Sequence, residues 1–338
     1  MHNNFNADEK ILRYTDKLDY FYNGHKTLII AELDLTNKCN NNCPGCCGVN
    51  ENRAELDKSQ IDRIIDSLAK IECEGVILSG GGEPLINPYF TYTVEQLRLR
   101  GIKVGVNSNG LALDNEKIDV ILKYCEYFRI SLDAASPEMY KKTHGMPEKS
   151  FNKVIENCIS FAKQKKETCN TMSFGIGFLT REDTIGEMED FVVLCKKTGA
   201  DFAQFRPFTG DFTDISEKYL ILKNRYETED FFVQASLQKY REMGKEQIRS
   251  YTKCHGMFFS TVITADAKVY ACLHYRQNPD YFLGDLNQNT LSEIFRSDRV
   301  RTIYEKIDCS KCPPFCRNDV FNRTLHALSK DVTHKEFL

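Results

Sequence analysis

Cys39, Cys43 and Cys46 stand in the run Thr36-Asn-Lys-Cys-Asn-Asn-Asn-Cys-Pro-Gly-Cys, just past an apolar stretch. Three thiols at C-x3-C-x2-C spacing can grip one compact, soft metal centre, and they leave a fourth position empty. A cubane 4Fe–4S cluster has four irons, each normally holding a thiolate. The run therefore implies either a missing partner or one iron kept open for a ligand, and the open iron is the better reading. A structural zinc site competes, because zinc also takes cysteines at short spacing. Disulfides fit poorly, since three such close cysteines cannot pair neatly. The start, Met1-His-Asn-Asn-Phe-Asn-Ala-Asp-Glu-Lys, also lacks the apolar region of a secretory signal. With 14 cysteines and no apolar run of membrane-spanning length, metal ligation in a reduced cytoplasm is the expectation.

A chain of 338 residues can hold one large domain and a smaller one. From about residue 26 to 210, strands and helices alternate. Strands are expected at Leu28–Leu35, Gly75–Leu78, Lys103–Asn107, Phe128–Leu132, Ser173–Leu179 and Ala203–Phe208. Helical patterns lie between them, such as 59–70, where Ile61, Ile64, Ile65 and Leu68 share one face and Asp57 or Ser59 can cap. Others run near Tyr92–Arg100, Asn115–Tyr124, Phe151–Lys165 and Ile185–Thr198. Such alternation implies parallel strands with right-handed crossovers. Six units are fewer than the eight of a closed barrel.

Strand faces separate a flat sheet from a barrel-like one. Glu32, Asp34 and Thr36 alternate with Ala31, Leu33 and Leu35, and Arg129, Ser131 and Asp133 with Phe128, Ile130 and Leu132. Lys103, Gly105, Asn107 and Asn109 alternate with Val104 and Val106, and Gln204 and Arg206 flank Phe205. A flat parallel sheet covered on both faces would be apolar on both parities. The pattern predicts an α/β fold, an open partial (β/α)6 TIM-like barrel with a polar lumen that holds a ligand. Half-exposed antiparallel strands are the alternative, and Phe174-Gly-Ile-Gly-Phe does not show the alternation clearly.

Straight after the second strand, Gly80-Gly81-Gly82-Glu83 offers backbone free of Cβ obstruction and a carboxylate able to accept from an ammonium. A triple glycine alone is a tight turn; together with the cysteine run it resembles the radical S-adenosylmethionine (radical SAM) superfamily. That resemblance implies that Cys39, Cys43 and Cys46 hold a 4Fe–4S cluster whose open iron chelates SAM. It also implies that Gly80, Gly81, Gly82 and Glu83 hold SAM's amino group. Asn107, Ser131, Asp133 and Thr180 lie where related enzymes contact the SAM carboxylate, ribose or adenine. One departure is Gly45: the family often has an aromatic residue before the third cysteine, so adenine contact must come from elsewhere.

Near the C-terminus stand Cys254, Cys272, Cys309, Cys312 and Cys316. Residues 262–272 read as a β-hairpin turning near Asp266-Ala-Lys, which would bring Cys254 and Cys272 to one side. Phe282-Leu-Gly-Asp-Leu and a helix at Leu291-Ser-Glu-Ile-Phe-Arg lead back to the C-x2-C. Four thiolates can saturate a second cubane or a structural zinc. Placed after such a core, the set resembles the SPASM/Twitch auxiliary-cluster region, a small cysteine-rich β-hairpin/helix domain. Cys254, Cys272, Cys309 and Cys312 are then ligands, with Cys316 spare or a substitute. The chain divides into an N-terminal extension (1–25), the core (26–210), a connecting segment (211–250) and the auxiliary domain with its tail (251–338).

The resemblance implies SAM, two 4Fe–4S clusters and a flavodoxin or ferredoxin electron donor. SAM is cleaved reductively to a 5′-deoxyadenosyl radical, which abstracts a hydrogen atom. A fully ligated second cluster can take up the electron left on the substrate, for a net oxidation. The lumen residues Glu32, Arg129, Gln204 and Arg206 suit a small polar substrate, sugar- or cyclitol-like. A one-cluster region resembles the form found in aminocyclitol dehydrogenases, and 25 residues before the first strand are too few for a peptide-recognition domain. A peptide- or protein-modifying maturase is the alternative. A radical epimerase is another and would need a hydrogen donor among Cys47, Cys73, Cys125, Cys158, Cys169 and Cys195. A non-catalytic metal-stabilised binding protein is the reading of a different class. Net charge −3 offers no basic footprint for nucleic acid, and no membrane partner is expected.

Overall fold

A computed structural model describes residues 8–46, 48, 52–211, 213–235, 240, 249–313, 316–329 and 333. Seven strands follow one another in parallel: β1 (Ile30–Asp34), β2 (Gly75–Ser79), β3 (Lys103–Ser108), β4 (Cys125–Ser131), β5 (Ser173–Thr180), β6 (Phe202–Pro207) and β7 (Phe232–Ala235). Helices α1 (Thr15–Tyr22) to α8 fill the chain around them: α2 (Lys58–Lys70), α3 (Phe90–Leu99), α4 (Asn115–Tyr124), α5 (Pro137–His144), α6 (Glu148–Glu167), α7 (Met188–Thr198) and α8 (Ser216–Tyr226). The sheet keeps two free edges and does not close. The expected open, mostly parallel α/β architecture is what forms. Its seventh strand lies in the segment expected to be a connection, and residues 236–239 and 241–248 of that segment fall outside the described residues. The tail does so at 330–332 and 334–338, and among the spare cysteines Cys47 does.

Local chemistry explains the elements. Asp57 caps α2 in a reciprocal box with Gln60, and Ile61, Ile64, Ile65 and Leu68 are all buried beneath it. On the outer face of the sheet, the α6 ring Phe161 packs Phe128 and Phe174 at centroid distances of 4.9 and 4.6 Å. In β4, Phe128 and Ile130 are buried while Arg129 and Ser131 stay half-buried on the other face. The unclear fifth strand obeys the same alternation. Phe174, Ile176 and Phe178 are fully buried, and Gly175 and Gly177 take the inner positions. A Cβ on Gly175 would lie 2.1 Å from the Phe202 ring. Position 175 is therefore glycine because the Phe202 ring already occupies the space.

The C-terminal region is built onto this sheet. Strand β8 (Ser260–Ile263) pairs in parallel with β1, and β9 (Lys268–Tyr270) and β10 (Phe282–Asp285) continue antiparallel, giving the order β10-β9-β8-β1-β2-β3-β4-β5-β6-β7. The hairpin turns where the sequence suggested: Thr264 bonds Lys268 through the backbone and Ala267 takes φ +62°. Across this seam Arg276 clamps both inner carboxylates of β1, reaching Asp34 at 3.0 Å and also Glu32, while Arg317 approaches Glu32 at 3.4 Å. Among the described residues no helix is long and apolar enough to cross a membrane.

Burial pushes the Asp34 carboxyl up to about 7, against the pull of Arg276. Burial would likewise raise Glu32, but Arg317 and Arg276 outweigh it and hold it low. A carboxyl with a raised folded pKa favours the folded state while it is protonated in both states. Its contribution is lost as pH climbs from the ordinary aspartate value of about 4 to about 7. Asp34→Asn should therefore remove a loss of stability between pH 5 and pH 8. Urea titrations of both proteins at those pH values check this, and identical pH dependence would refute it.

Candidate functional site

The cysteine loop leaves the C-terminal end of β1 and is fastened at every side. Asn37 N–H donates to Ala54 O, Asn42 N–H to His144 O, and Lys38 Nζ meets Glu55 at 2.7 Å. The second loop is stitched to the first: Glu83 N–H donates to Lys38 O at 2.9 Å. A Cβ on Gly82 would stand only 2.0 Å from that same carbonyl, so glycine is the residue that lets the two backbones meet. Gly80 has φ +150°. The close approach seen at Gly82 is thus between two backbone loops.

One cavity of about 240 Å³ lies between these loops and the strand ends. Cys39, Cys43 and Cys46 line it together with Gly80, Gly82, Glu83, Asn107, Asn109, Ser131 and Asp133. Backbone N–H groups of Asn41 and Gly48 point at the sulfurs of Cys39 and Cys46, at 3.4 and 3.3 Å. Burial and the neighbouring thiols push Cys43 up to about 12. Such crowded thiols become thiolates when a cationic centre binds them, so the donor set fits an iron–sulfur cluster.

Glu83 is buried and accepts from Leu85 N–H (3.0 Å), Ser108 Oγ–H (2.7 Å) and Asn109 N–H (2.7 Å). Burial raises its pKa, and these three donors oppose the rise. It locks the end of β3 to the glycine loop. Asp133 holds a left-handed φ of +51°, and its Oδ1 accepts Leu179 N–H at 2.7 Å. Strand parity turns Thr180 away from the cavity: it is fully buried, with its Oγ1 bonded to Arg206 O and Tyr240 Oη. Gly81 is not among the lining residues, and its N–H serves Asp34 instead.

Sequence reasoning missed several lining residues. Phe208, just past β6, lies over Gly45, where a Cβ would come within 2.7 Å of its ring, and the Arg181 guanidinium covers that ring at 5.2 Å. The aromatic surface absent from the cysteine loop is thus brought in by β6. His144 and Thr143 line the cavity from α5, an eight-residue helix whose Ser136 cap, Pro137 at its first position and Gly145 at its end are local start and stop signals in the sequence. Tyr140 stacks on His144 at 4.2 Å and its hydroxyl meets Asn41.

The second cysteine set also converges. Cys254, Cys272, Cys309, Cys312 and Cys316 line a single small cavity with Tyr251, Tyr275 and Tyr281. Every described cysteine is free. Cys316 lines this cavity together with the other four cysteines. Cys316 therefore stands within the set and not apart from it. No three His, Cys, Asp or Glu among the described residues close on a single-ion position. Five thiols around one cavity are a soft donor set that fits an iron–sulfur cluster.

Residues 33–191 match the Radical SAM superfamily, and residues 254–317 match SPASM, the iron–sulfur cluster-binding domain. The chain belongs to the radical SAM superfamily. Its cofactors are accordingly SAM and 4Fe–4S clusters. The radical SAM chain is 26% identical over 211 residues to the mycofactocin maturase MftC of Mycobacterium ulcerans, covering 60% of this chain and 53% of that protein. It is 28% identical over 173 residues to a probable GTP 3′,8-cyclase of Methanococcus maripaludis, covering 50% and 55%. It spans about half the length of these curated relatives. SuiB of Streptococcus suis bound to S-adenosylmethionine shares the fold at TM-score 0.66 and 13% identity, over 85% of this chain and 70% of that one. Native anSMEcpe with bound AdoMet does so at 0.61 and 18%, over 86% and 89%.

Because the Gly82 contact leaves no room for a methyl group, Gly82→Ala should force the two loops apart. Iron incorporated at the first site on anaerobic reconstitution should fall well below wild type, with the helical circular dichroism preserved. Full iron loading in this variant would show that the contact is not needed.

Proposed function

We propose that this radical SAM protein abstracts a hydrogen atom from a small polar substrate held in the lumen and completes a net oxidation. The observation that carries this reading is the polar inner face running between the two cysteine sets. Glu32, Arg129, Gln204 and Arg206 come from the strands, and Arg276 and Arg317 reach in from turns that also carry Cys272 and Cys316. Held by Cys39, Cys43 and Cys46, the cluster with SAM supplies reductive C–S cleavage and a 5′-deoxyadenosyl radical. The chain's part is to fix that chemistry in place and exclude water. Gly80, Gly82 and Glu83 would hold the SAM amino group, Asn107, Ser131 and Asp133 the polar parts beyond it, and Phe208 with Arg181 a flat ring. Thr180 would act only indirectly, by fixing the end of β5. Cys254, Cys272, Cys309 and Cys312 would supply the four ligands of an electron acceptor, with Cys316 spare or a substitute for one of them. The external reductant would be a flavodoxin or ferredoxin.

A second reading, modification of a peptide, is favoured by the similarity to a mycofactocin maturase. Epimerisation is less well supported, since it needs a thiol donor at the site. Cys73, Cys125, Cys158 and Cys195 are buried in the core, and Cys169 is exposed at the end of α6. None of these five lines the cavity.

Three predictions separate the roles. Glu83→Gln removes a charge-assisted acceptor of about 1.5–3 kcal/mol, so SAM affinity should weaken about tenfold to hundredfold. Unchanged affinity, measured by equilibrium dialysis, would confine Glu83 to its structural bonds. Two cubanes require about eight irons per chain. The Cys254→Ala/Cys272→Ala protein should fall to about four, keep forming 5′-deoxyadenosine and fail to form oxidised product. Cys39→Ala should form no 5′-deoxyadenosine at all. Stoichiometric zinc at the second site would remove the electron acceptor and the oxidation with it.

A further inference from the structure

The lumen holds more positive charge than its own carboxylates satisfy. Glu32 and Asp34 are already engaged by Arg276 and Arg317. Arg129 and Arg206 have no carboxylate within ion-pair distance among the described residues. Arg129 Nη1 donates only to the neutral Gln204 Oε1, at 2.7 Å. The Nε–H groups of both arginines are buried and without an acceptor. An unsatisfied buried guanidinium N–H costs free energy that a bound acceptor would recover.

The two guanidinium-bearing chains approach the same point. At the position a Cβ on Gly177 would take, Arg206 Nη2 lies at 3.4 Å and Arg129 Cδ at 3.7 Å. Gly177 pairs across the sheet with Ser131 on one side and Gln204 on the other. Ser131 also lines the cysteine cavity. Glycine there keeps a floor open beneath two like charges, which repel each other unless an anion lies between them. Burial and Arg206 both lower the Arg129 pKa, to about 9, against the weaker opposing pull of Tyr127, Asp133 and Glu32.

Building on the proposal that the lumen holds the substrate, we infer that Arg129 and Arg206 bind an oxyanion of it, a carboxylate or phosphate, with Gln204 orienting Arg129. The group would sit beside Gly177, which is in register with Ser131, a residue lining the cavity where the radical would be generated. Guanidinium forks match planar carboxylates and phosphates in two-point contact. The same chemistry can belong to a free organic acid or to a Glu or Asp side chain of a peptide.

Calorimetric titration of the anaerobically reconstituted protein decides the matter. Glutarate, phosphate and the peptide acetyl-Gly-Glu-Gly-amide serve as probes at constant ionic strength, with and without saturating SAM. Saturable binding of at least one probe is expected with SAM present, weakened about tenfold or more in Arg129→Gln and in Arg206→Gln and partly restored in Arg129→Lys. Tighter glutarate binding would mark a free acid, and tighter peptide binding a side chain. No saturable binding of any probe to the wild type would overturn the inference, as would undiminished binding in folded Gln variants. Binding seen only without SAM would also overturn it, by assigning the arginines to SAM's own carboxylate. Should the Gln variants fail to fold, the wild-type titration and the Arg129→Lys variant decide alone. Formation of 5′-deoxyadenosine by the wild type, scored separately, reports whether the radical reading itself stands.

Discussion

Strand β1 carries the arrangement on which both sites depend. It pairs in parallel with β2 on one side and with β8 on the other, so the two cysteine-bearing regions share one strand. Its C-terminal end runs straight into the first cysteine loop, and its inner carboxylates take up the arginines of the second region. Asp34 is fully buried, and Glu32 and Arg276 nearly so. Removing one partner of such a buried pair typically costs about 3–5 kcal/mol, because a charge is left uncompensated. The pairing is less a source of net stability than a registry device. It fixes the turn after Cys272 and the turn at Cys316 relative to the lumen.

A second constraint acts between the two loops at the strand ends. The Lys38 carbonyl accepts Glu83 N–H and lies against Gly82, while Glu83 turns its carboxylate back to Ser108 and Asn109. Through these few bonds β1, β2 and β3 are held as a unit around the cavity. A carboxylate held by three backbone and hydroxyl donors is rigid and keeps acceptor capacity to spare, and rigidity is what aiming a reactive radical requires. The same contacts explain why the motif has glycine at that point and an acid right after it.

Much of this was legible in the sequence because each element announced itself by a local rule. The cysteine spacing, the strand-end glycines and the two-residue alternation of polar and apolar positions needed no long-range information. The α2 cap at Asp57 and the hairpin turn near Asp266 were equally local. What escaped depends on partners far away in the chain. Strand β7 is four residues long, too short for a period to show. Arg276 sits in an irregular turn and gains meaning only opposite Glu32 and Asp34. Phe208 becomes a site residue only because Gly45 leaves a space beneath its ring. Thr180 was placed by analogy with other strand ends, and strand parity puts its side chain on the opposite side.

The glycines of β5 show how one strand can serve packing and chemistry together. Its outer residues Phe174, Ile176 and Phe178 are as apolar as any core strand, so the helices are held firmly there. The inner positions 175 and 177 carry no side chain, and the space goes to Phe202, Arg129 and Arg206 from the neighbouring strands. A bulkier residue at 177 would fill the hollow and push the two guanidiniums aside. A hydrocarbon there would make a better core, as in a closed barrel, where branched aliphatics fill the centre. The chain instead leaves the hollow unfilled and charged, and that arrangement is favourable only when a ligand completes it.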